Sequence, residues 1–579
     1  MNNERVFLSA VGVAQGLCIW YLLEQSPATQ PATAINASLL AFVAFGGAVL
    51  HFTWTGRDVV RLLVLAGISG LIFGAVTCWV SLMVPLEFAN SVPTGDQARS
   101  VTWIPASMIA IYIAVPFLQI FQRSGRAVFP YVQLFQHSWN NFHIGLVGGL
   151  FLLSLWVVLW FWGTLFNLID IDFFAELFSK NWFGWPISGG ALGFGVAMGR
   201  EREKIIATLK SLTLSVFRAL LPLTSFVALL FLVTLPFTGL EPLWDTGRAS
   251  YILLAWIALT VLFVNAVYMD GDIEPPFALP VRRMVEAGVF IMIVYAAIAL
   301  YGLGLRVDQH GLSVSRFVGL LVAIVLGLYA LGYAVSVIWR GAHWMSGIAK
   351  VNRPMALLVL VLAILMHTPV LDPLTWSAWN QFNRLSEGTV SVEEFDFGYL
   401  LFELGQRGED RLVELESLEN HPRAGAIRAA VGEVRGALHR FAWDNRQALG
   451  HAMDDIELHA ALSEWPPGLF DGIKLGVGNS LLAQCGRERN CLLFPLDFPD
   501  HDGDEYGLLT GGRYFTIYLF GRGEADDWMM IGDLSPIVHD PRLERDAVIK
   551  AIEALDIAIK LPIWPLIQIG AAEYFVDPR

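Results

Sequence analysis

The densest set of oxygen ligands in the chain lies in LDFPDHDGDEYGLL, where Asp497, Asp500, Asp502, Asp504 and Glu505 stand within nine residues. Calcium loops place side-chain oxygens at alternate positions around a turn-forming glycine, and Asp500, Asp502 and Asp504 have that spacing. The glycine stands fourth instead of sixth, and no glutamate occupies the twelfth position. Two readings remain open: a Ca2+ site, or an acidic solvated turn between strands. A few residues earlier, Cys485 and Cys491 bracket GRERN. In an oxidising compartment such a pair closes a local disulfide. In a reducing one the two are thiols, because a lone C-x5-C lacks the second half of a zinc site.

Other chemistry-bearing residues lie inside apolar runs, where a charged or strongly polar group is costly and thus a functional candidate. Arg218 and Asn265 are the most deeply embedded, with Gln15, His51, Gln119 and His367 nearer the ends of their runs. Asp270, Asp272 and Glu274 follow Asn265 in NAVYMDGDIEPP. A transporter could use this group to bind a cation or relay protons. Alternatively, Arg218 snorkels to the surface and the acids sit in a solvated loop. The chain contains no Walker A motif, dinucleotide fingerprint, HExxH or GxSxG. No motif therefore nominates a catalytic residue.

The elements that must position these residues are mostly membrane helices. Of 579 residues 55% are hydrophobic and only 16% charged, with a mean hydropathy of +0.55, outside the range of soluble domains. Apolar runs long enough for a bilayer fall at 6–23, 35–54, 62–84, 103–121, 142–163, 185–199, 212–237, 251–269, 284–305, 317–339 and 355–370. This reading gives about eleven spans, the glycine-rich sixth being the weakest. The first is read as a retained helix, since its core is too long for a signal peptide and no small-x-small site follows. Arginine and lysine concentrate in alternate loops, fourteen against five. By the positive-inside rule the N-terminus is cytoplasmic, and an odd number of spans leaves the C-terminal part outside.

Charge divides the chain. Residues 1–370 carry a net +3 and residues 371–579 a net −17, so the second part is soluble, acidic and unsuited to nucleic acid. Three regions are expected: a polytopic membrane domain over 1–370, a helical segment over 371–470 and a small β-rich α+β module over 471–579. Residues 399–418 and 424–462 have amphipathic helical spacing. Residues 514–520 alternate as a strand does. The segment LIQIGAAEYFVDP suggests a terminal hairpin.

Several segments together resemble a bacterial membrane family known as domain of unknown function 4153. These are NAVYMDGDIEPPF, LYGLGLRVDQHGLSVSRFVGLL and YAVSVI, and then LDPLTWSAWNQFNRLSEGTVSVEEFDFGYLLFELGQRG. Gln381, Arg384, Gly388, Asp396 and Gly405 stand at the family's places. His310 and Ser313 replace an expected tyrosine and threonine, and the spacing of the aspartate-rich segment departs from the family's pattern. The resemblance implies a bacterial inner-membrane protein and assigns no reaction. Three functions follow as expectations: a non-enzymatic envelope component with a periplasmic sensing or partner-binding domain, a transporter or channel for a small solute or ion, or an enzyme acting on lipid-linked substrates. The lipid bilayer is the one partner that all three require.

Overall fold

The computed structural model describes residues 2–25, 29–83, 95–240, 242, 246, 248–269, 277–419, 421–437, 440 and 443, and, in the acidic part, 456–473 (without 463 and 471), 485, 491–496, 504–511, 515–523, 528–534, 545–557 (without 556) and 567–574 (without 570 and 571). Contacts divide the chain into two compact units, Met1–Arg428 and Ala429–Arg579.

The first unit is helical. Its long helices are α1 (Asn2–Glu24), α2 (Gln30–Thr53), α3 (Val59–Leu82), α4 (Gly95–Ser124), α5 (Tyr131–Asn167), α7 (Asn181–Glu201), α8 (Glu203–Thr238), α9 (Ala249–Tyr268), α10 (Leu279–His310), α11 (Val314–Arg340) and α12 (Ile348–Leu365). A short α6 (Phe173–Ser179) precedes α7. Among the described residues, ten helices are long and apolar enough to cross a membrane. The helix outside that set is α7, the glycine-rich run. It nevertheless lies antiparallel along the whole of α1. Glu201 accepts from Arg5 at one end, Gly189 meets Gly12 at mid-length, and Asn181 reaches Glu24 at the other end. With 21 residues, or about 31 Å of rise, α7 covers the same thickness as its partner. Among the described residues α7 therefore runs alongside the ten apolar helices, and α1 begins at the end opposite to that where α12 finishes.

Glycine makes the α1–α7 pairing close. A Cβ on Gly12 would stand 2.0 Å from the Gly189 carbonyl oxygen, and one on Gly16 2.3 Å from that of Trp185. Lipid-embedded helices gain little from burying apolar surface against each other, so small residues that admit backbone contact drive association. The largest core cluster joins α8 to α12 through residues such as Leu221, Ile257, Met292, Tyr295 and Tyr333. Many large apolar side chains on α3, α5 and α8 stay exposed, including Leu71, Leu150 and Leu230. In a bilayer these meet hydrocarbon.

Residues 371–428 fold with the membrane helices. They contribute α13 (Pro373–Ser386), a π-helical turn at Tyr399–Glu403, α14 (Gly405–Glu416) and the start of α15 (Ala424–Arg435). Asp372 caps α13 by accepting from the Leu374 amide at 3.2 Å, and its carboxylate pairs with Arg407 at 3.0 Å, both almost wholly buried. Gly408 is obligatory: a Cβ there would lie 1.7 Å from the Leu400 carbonyl oxygen, where α14 crosses the π-turn.

The second unit holds a five-stranded sheet in sequential order, β1 (Ile456–Leu458), β2 (Cys491–Leu496), β3 (Glu505–Gly511), β4 (Phe515–Arg522) and β5 (Trp528–Leu534). The β1–β2 pair is parallel and the rest are antiparallel. One face buries Leu493, Leu508, Phe520 and Trp528. The other packs Leu492, Phe494 and Leu509 against Ile552 of α16 (Arg545–Glu553). A terminal hairpin, β6 (Ile567–Ile569) with β7 (Ala572–Tyr574), forms where the sequence suggests one. The amphipathic helix expected over 424–462 is broken: α15 stops at Arg435, Arg440 and Trp443 are helical again, and Ile456–Leu458 is a strand. Pairing with β2 outweighs the local helical spacing there.

Candidate functional site

The structure gathers polar residues of the first unit into three places. The first is a closed hydrogen-bonded ring between α5, α9, α11 and α12. Asn265 donates to the Tyr333 hydroxyl at 3.0 Å and to the Val261 carbonyl at 2.8 Å. Tyr333 donates to Asn352 Oδ1 at 2.6 Å, and Asn352 donates to the Tyr131 hydroxyl at 3.0 Å and to Asn265 Oδ1. Tyr131 closes the ring by donating to Asn265 at 3.2 Å. Each amide N–H and each phenol has a partner. This is how a membrane interior accommodates polar groups, and none of the four side chains titrates near neutrality.

The second place is the end of the bundle where α1 begins. Arg200 donates to the carbonyls of His51 at 2.8 Å, Phe52 at 2.9 Å and Trp54, and pairs with Glu4 at 2.9 Å. Gln119 donates to Phe52 at 2.8 Å and exchanges two hydrogen bonds with Asn141. A guanidinium at the C-terminus of α2 satisfies carbonyls that the helix leaves open and complements its dipole.

The third place lies at the opposite end, where α13 grips the turn between α10 and α11. Arg384 donates to the carbonyls of Asp308 at 2.7 Å and Gln309 at 3.0 Å, and Gln381 donates to that of His310 at 3.3 Å. These belong to the last turn of α10, whose carbonyls have no partner within the helix. Gly311, at φ +76°, lets the chain turn beneath them, since a Cβ there would lie 2.6 Å from Gln381 Nε2. Past the turn, the Leu312 amide donates to Asn380 at 2.7 Å and the Val314 amide to the Tyr399 hydroxyl at 3.1 Å. Ser377 gives its proton to the Leu312 carbonyl at 2.7 Å, so across the 3.1 Å contact between Tyr399 and Ser377 the phenol is the donor. Burial pushes the Tyr399 hydroxyl up, against the pull of Ser377 and the Val314 amide, which keeps the phenol in its donating form.

Beside this grip an apolar cleft of about 970 Å³ opens between α4, α9, α11 and α12. Ala106, Leu254, Ala258, Val322, Val359 and Leu362 represent its walls, and Thr102, Ser313, His367, Tyr399 and Glu403 form a polar rim. Ile109, Tyr251 and Val322 are exposed at its edges.

The remaining expected residues are dispersed. Arg218 is half-buried on α8 and has no hydrogen bond or ion pair among the described residues. Asp270, Asp497, Asp500 and Asp502 lie outside the described residues. Asp504 is exposed and Glu505 is buried at the start of β3. Among the described residues no group of His, Cys, Asp or Glu could hold a metal ion. Cys485 and Cys491 are joined by a disulfide and buried in the sheet's core.

Three participants escaped the sequence reading: Tyr131, Tyr333 and Asn352. Asn352 stands in KVNRP, which reads as a loop, yet it belongs to α12. The cleft has no motif at all, because four separate spans line it. By contrast, two of the segments that carried the family resemblance, the one containing LRVDQHGLSVSR and the α13 region, are the two halves of the grip. Asp396 accepts from the Tyr399 amide at 2.9 Å, and Gly388 and Gly405 both have positive φ.

No curated protein and no solved structure matches this chain. The family described as "Domain of unknown function (DUF4153)" matches residues 13–415, which take in the second half of α1, the long helices from α2 to α12, the α13 grip and nearly all of α14. The chain therefore belongs to the DUF4153 family, as a multi-pass membrane protein whose α13 region is part of the family's own fold.

Proposed function

We propose that this protein is a non-enzymatic component of the bacterial cell envelope: an inner-membrane scaffold that carries an acidic sensing or partner-binding domain on the periplasmic side. The observation that carries this reading is the grip of α13 on the α10–α11 turn. A chain whose last long apolar helix ends at Leu365 is fixed by the cap at Asp372 and, further along α13, by the carbonyl contacts of Arg384. That attachment suits a scaffold which holds its exit segment rigidly. The saturated ring at Asn265 supports the same reading, since its groups bind one another and not a passing ion. The charge asymmetry of the loops favours a cytoplasmic N-terminus, and eleven spans then put residues 371–579 outside, where the Cys485–Cys491 bond is stable.

The transporter reading draws on one feature, the half-buried Arg218 without a polar partner among the described residues. Two experiments separate the readings. In a strain lacking the protein, the full chain is expected to restore the envelope phenotype and residues 1–428 alone to fail; restoration by 1–428 would remove the basis for a partner-binding domain. Arg218→Ala and Asn265→Ala, if folded, are expected to leave solute uptake unchanged; loss of uptake would establish transport instead.

A further inference from the structure

We infer that the cleft between α4, α9, α11 and α12 is a binding site for one phospholipid from the surrounding bilayer, with a headgroup that carries both phosphate and ammonium. Its walls are apolar, and it lies beside membrane spans. Cavities of about 150 Å³ lined by such side chains already stay dry and take up hydrocarbon; this one has about 970 Å³. Water is a poor filler, whereas acyl chains are at hand. The wall on α11 runs from Val314 to Leu326, which at 1.5 Å per residue is about 18 Å. That is close to one leaflet of a hydrocarbon core about 30 Å thick. The cleft thus has the depth of a single lipid layer.

The rim supplies the headgroup chemistry. Its charged and hydroxyl groups gather at the end occupied by Ser313, Tyr399 and Glu403, where the α13 grip sits. Ser313, Tyr399 and Glu403 bring two hydroxyls and a carboxylate to that end. Glu403 is exposed and opposes a purely anionic headgroup. An exposed carboxylate beside hydroxyls suits the ammonium of a zwitterionic phospholipid.

The test uses the full chain reconstituted in vesicles of equal parts phosphatidylethanolamine and phosphatidylglycerol, extracted in mild detergent. Retained lipid is then counted by native mass spectrometry. One bound phosphatidylethanolamine per chain is expected. Ala258→Trp and Val322→Trp, which fill the cleft, are expected to lower retention at least tenfold, with Leu150→Trp on the lipid-facing side of α5 as the unaffected control. Ala258→Leu serves if the larger residues prevent folding. Glu403→Gln is expected to keep the lipid but abolish the preference for phosphatidylethanolamine. No retained lipid, retention indifferent to the filling variants, or a preference for phosphatidylglycerol in the wild type would overturn the inference. So would cross-linking of two chains through Val322→Cys, which would give the cleft to a second copy. None of these outcomes bears on the side of the membrane where the acidic domain lies.

Discussion

Asparagine at position 352 shows how a single amide shapes a membrane interior. It donates to Tyr131 and Asn265 and accepts from Tyr333, so its removal leaves three side chains short of a partner where Asn352 and Tyr333 are buried. Hydrogen bonds of this kind between membrane helices contribute about 0.6 kcal/mol on average and up to about 1.7 kcal/mol. Because Asn352 makes several, Asn352→Leu is expected to cost about 1–2 kcal/mol, read as a lower melting temperature in detergent with α-helix content retained. An unchanged melting temperature would mean that the ring adds no stability. Ser377→Ala tests the opposite end. It removes the acceptor of the Tyr399 proton and the donor to Leu312, and a loss of about 1 kcal/mol is expected, with faster proteolysis within 371–428. Of these residues only Asn265 was legible in the sequence, since a polar residue inside an apolar run stands out. Tyr131, Tyr333 and Asn352 did not stand out: tyrosine is ordinary in membrane helices, and Asn352 lies two residues after a lysine at what reads as the mouth of a loop.

Among the elements, α7 decides the topology. Its apolar signal is weak because glycine replaces larger residues, yet those glycines are what let it lie against α1. Gly12→Leu is therefore expected to prevent that pairing, because its Cβ alone would meet the Gly189 carbonyl oxygen at 2.0 Å. Fluorescence-detected size exclusion should then show loss of the folded peak, while Gly67→Leu on α3, where a Cβ meets nothing within 4 Å, should retain it. A folded Gly12→Leu protein would show that α1 and α7 need not touch. The apolar cores of the other spans were legible, because the thickness of a bilayer sets their length, but α5 begins at Tyr131 and α8 at Glu203, well before the expected starts at 142 and 212. The helix expected over 424–462 was not, since β1 exists only through its pairing with β2. The α13 region read as extracytoplasmic texture. Its place against the α10–α11 turn depends on tertiary hydrogen bonds that no periodicity encodes.

For the whole molecule, the account rests on the number of spans, because parity decides where the acidic unit lies. The labelling experiment is direct. In a Cys18→Ala/Cys78→Ala background, cells with a permeabilised outer membrane are treated with a thiol reagent that cannot cross the inner membrane, with and without prior reduction. Eleven spans and a cytoplasmic N-terminus predict labelling of Cys485 and Cys491 only after reduction. If neither cysteine reacted until the inner membrane was lysed, the acidic unit would be cytoplasmic and the count of spans wrong by one. A domain facing the periplasm would then be excluded.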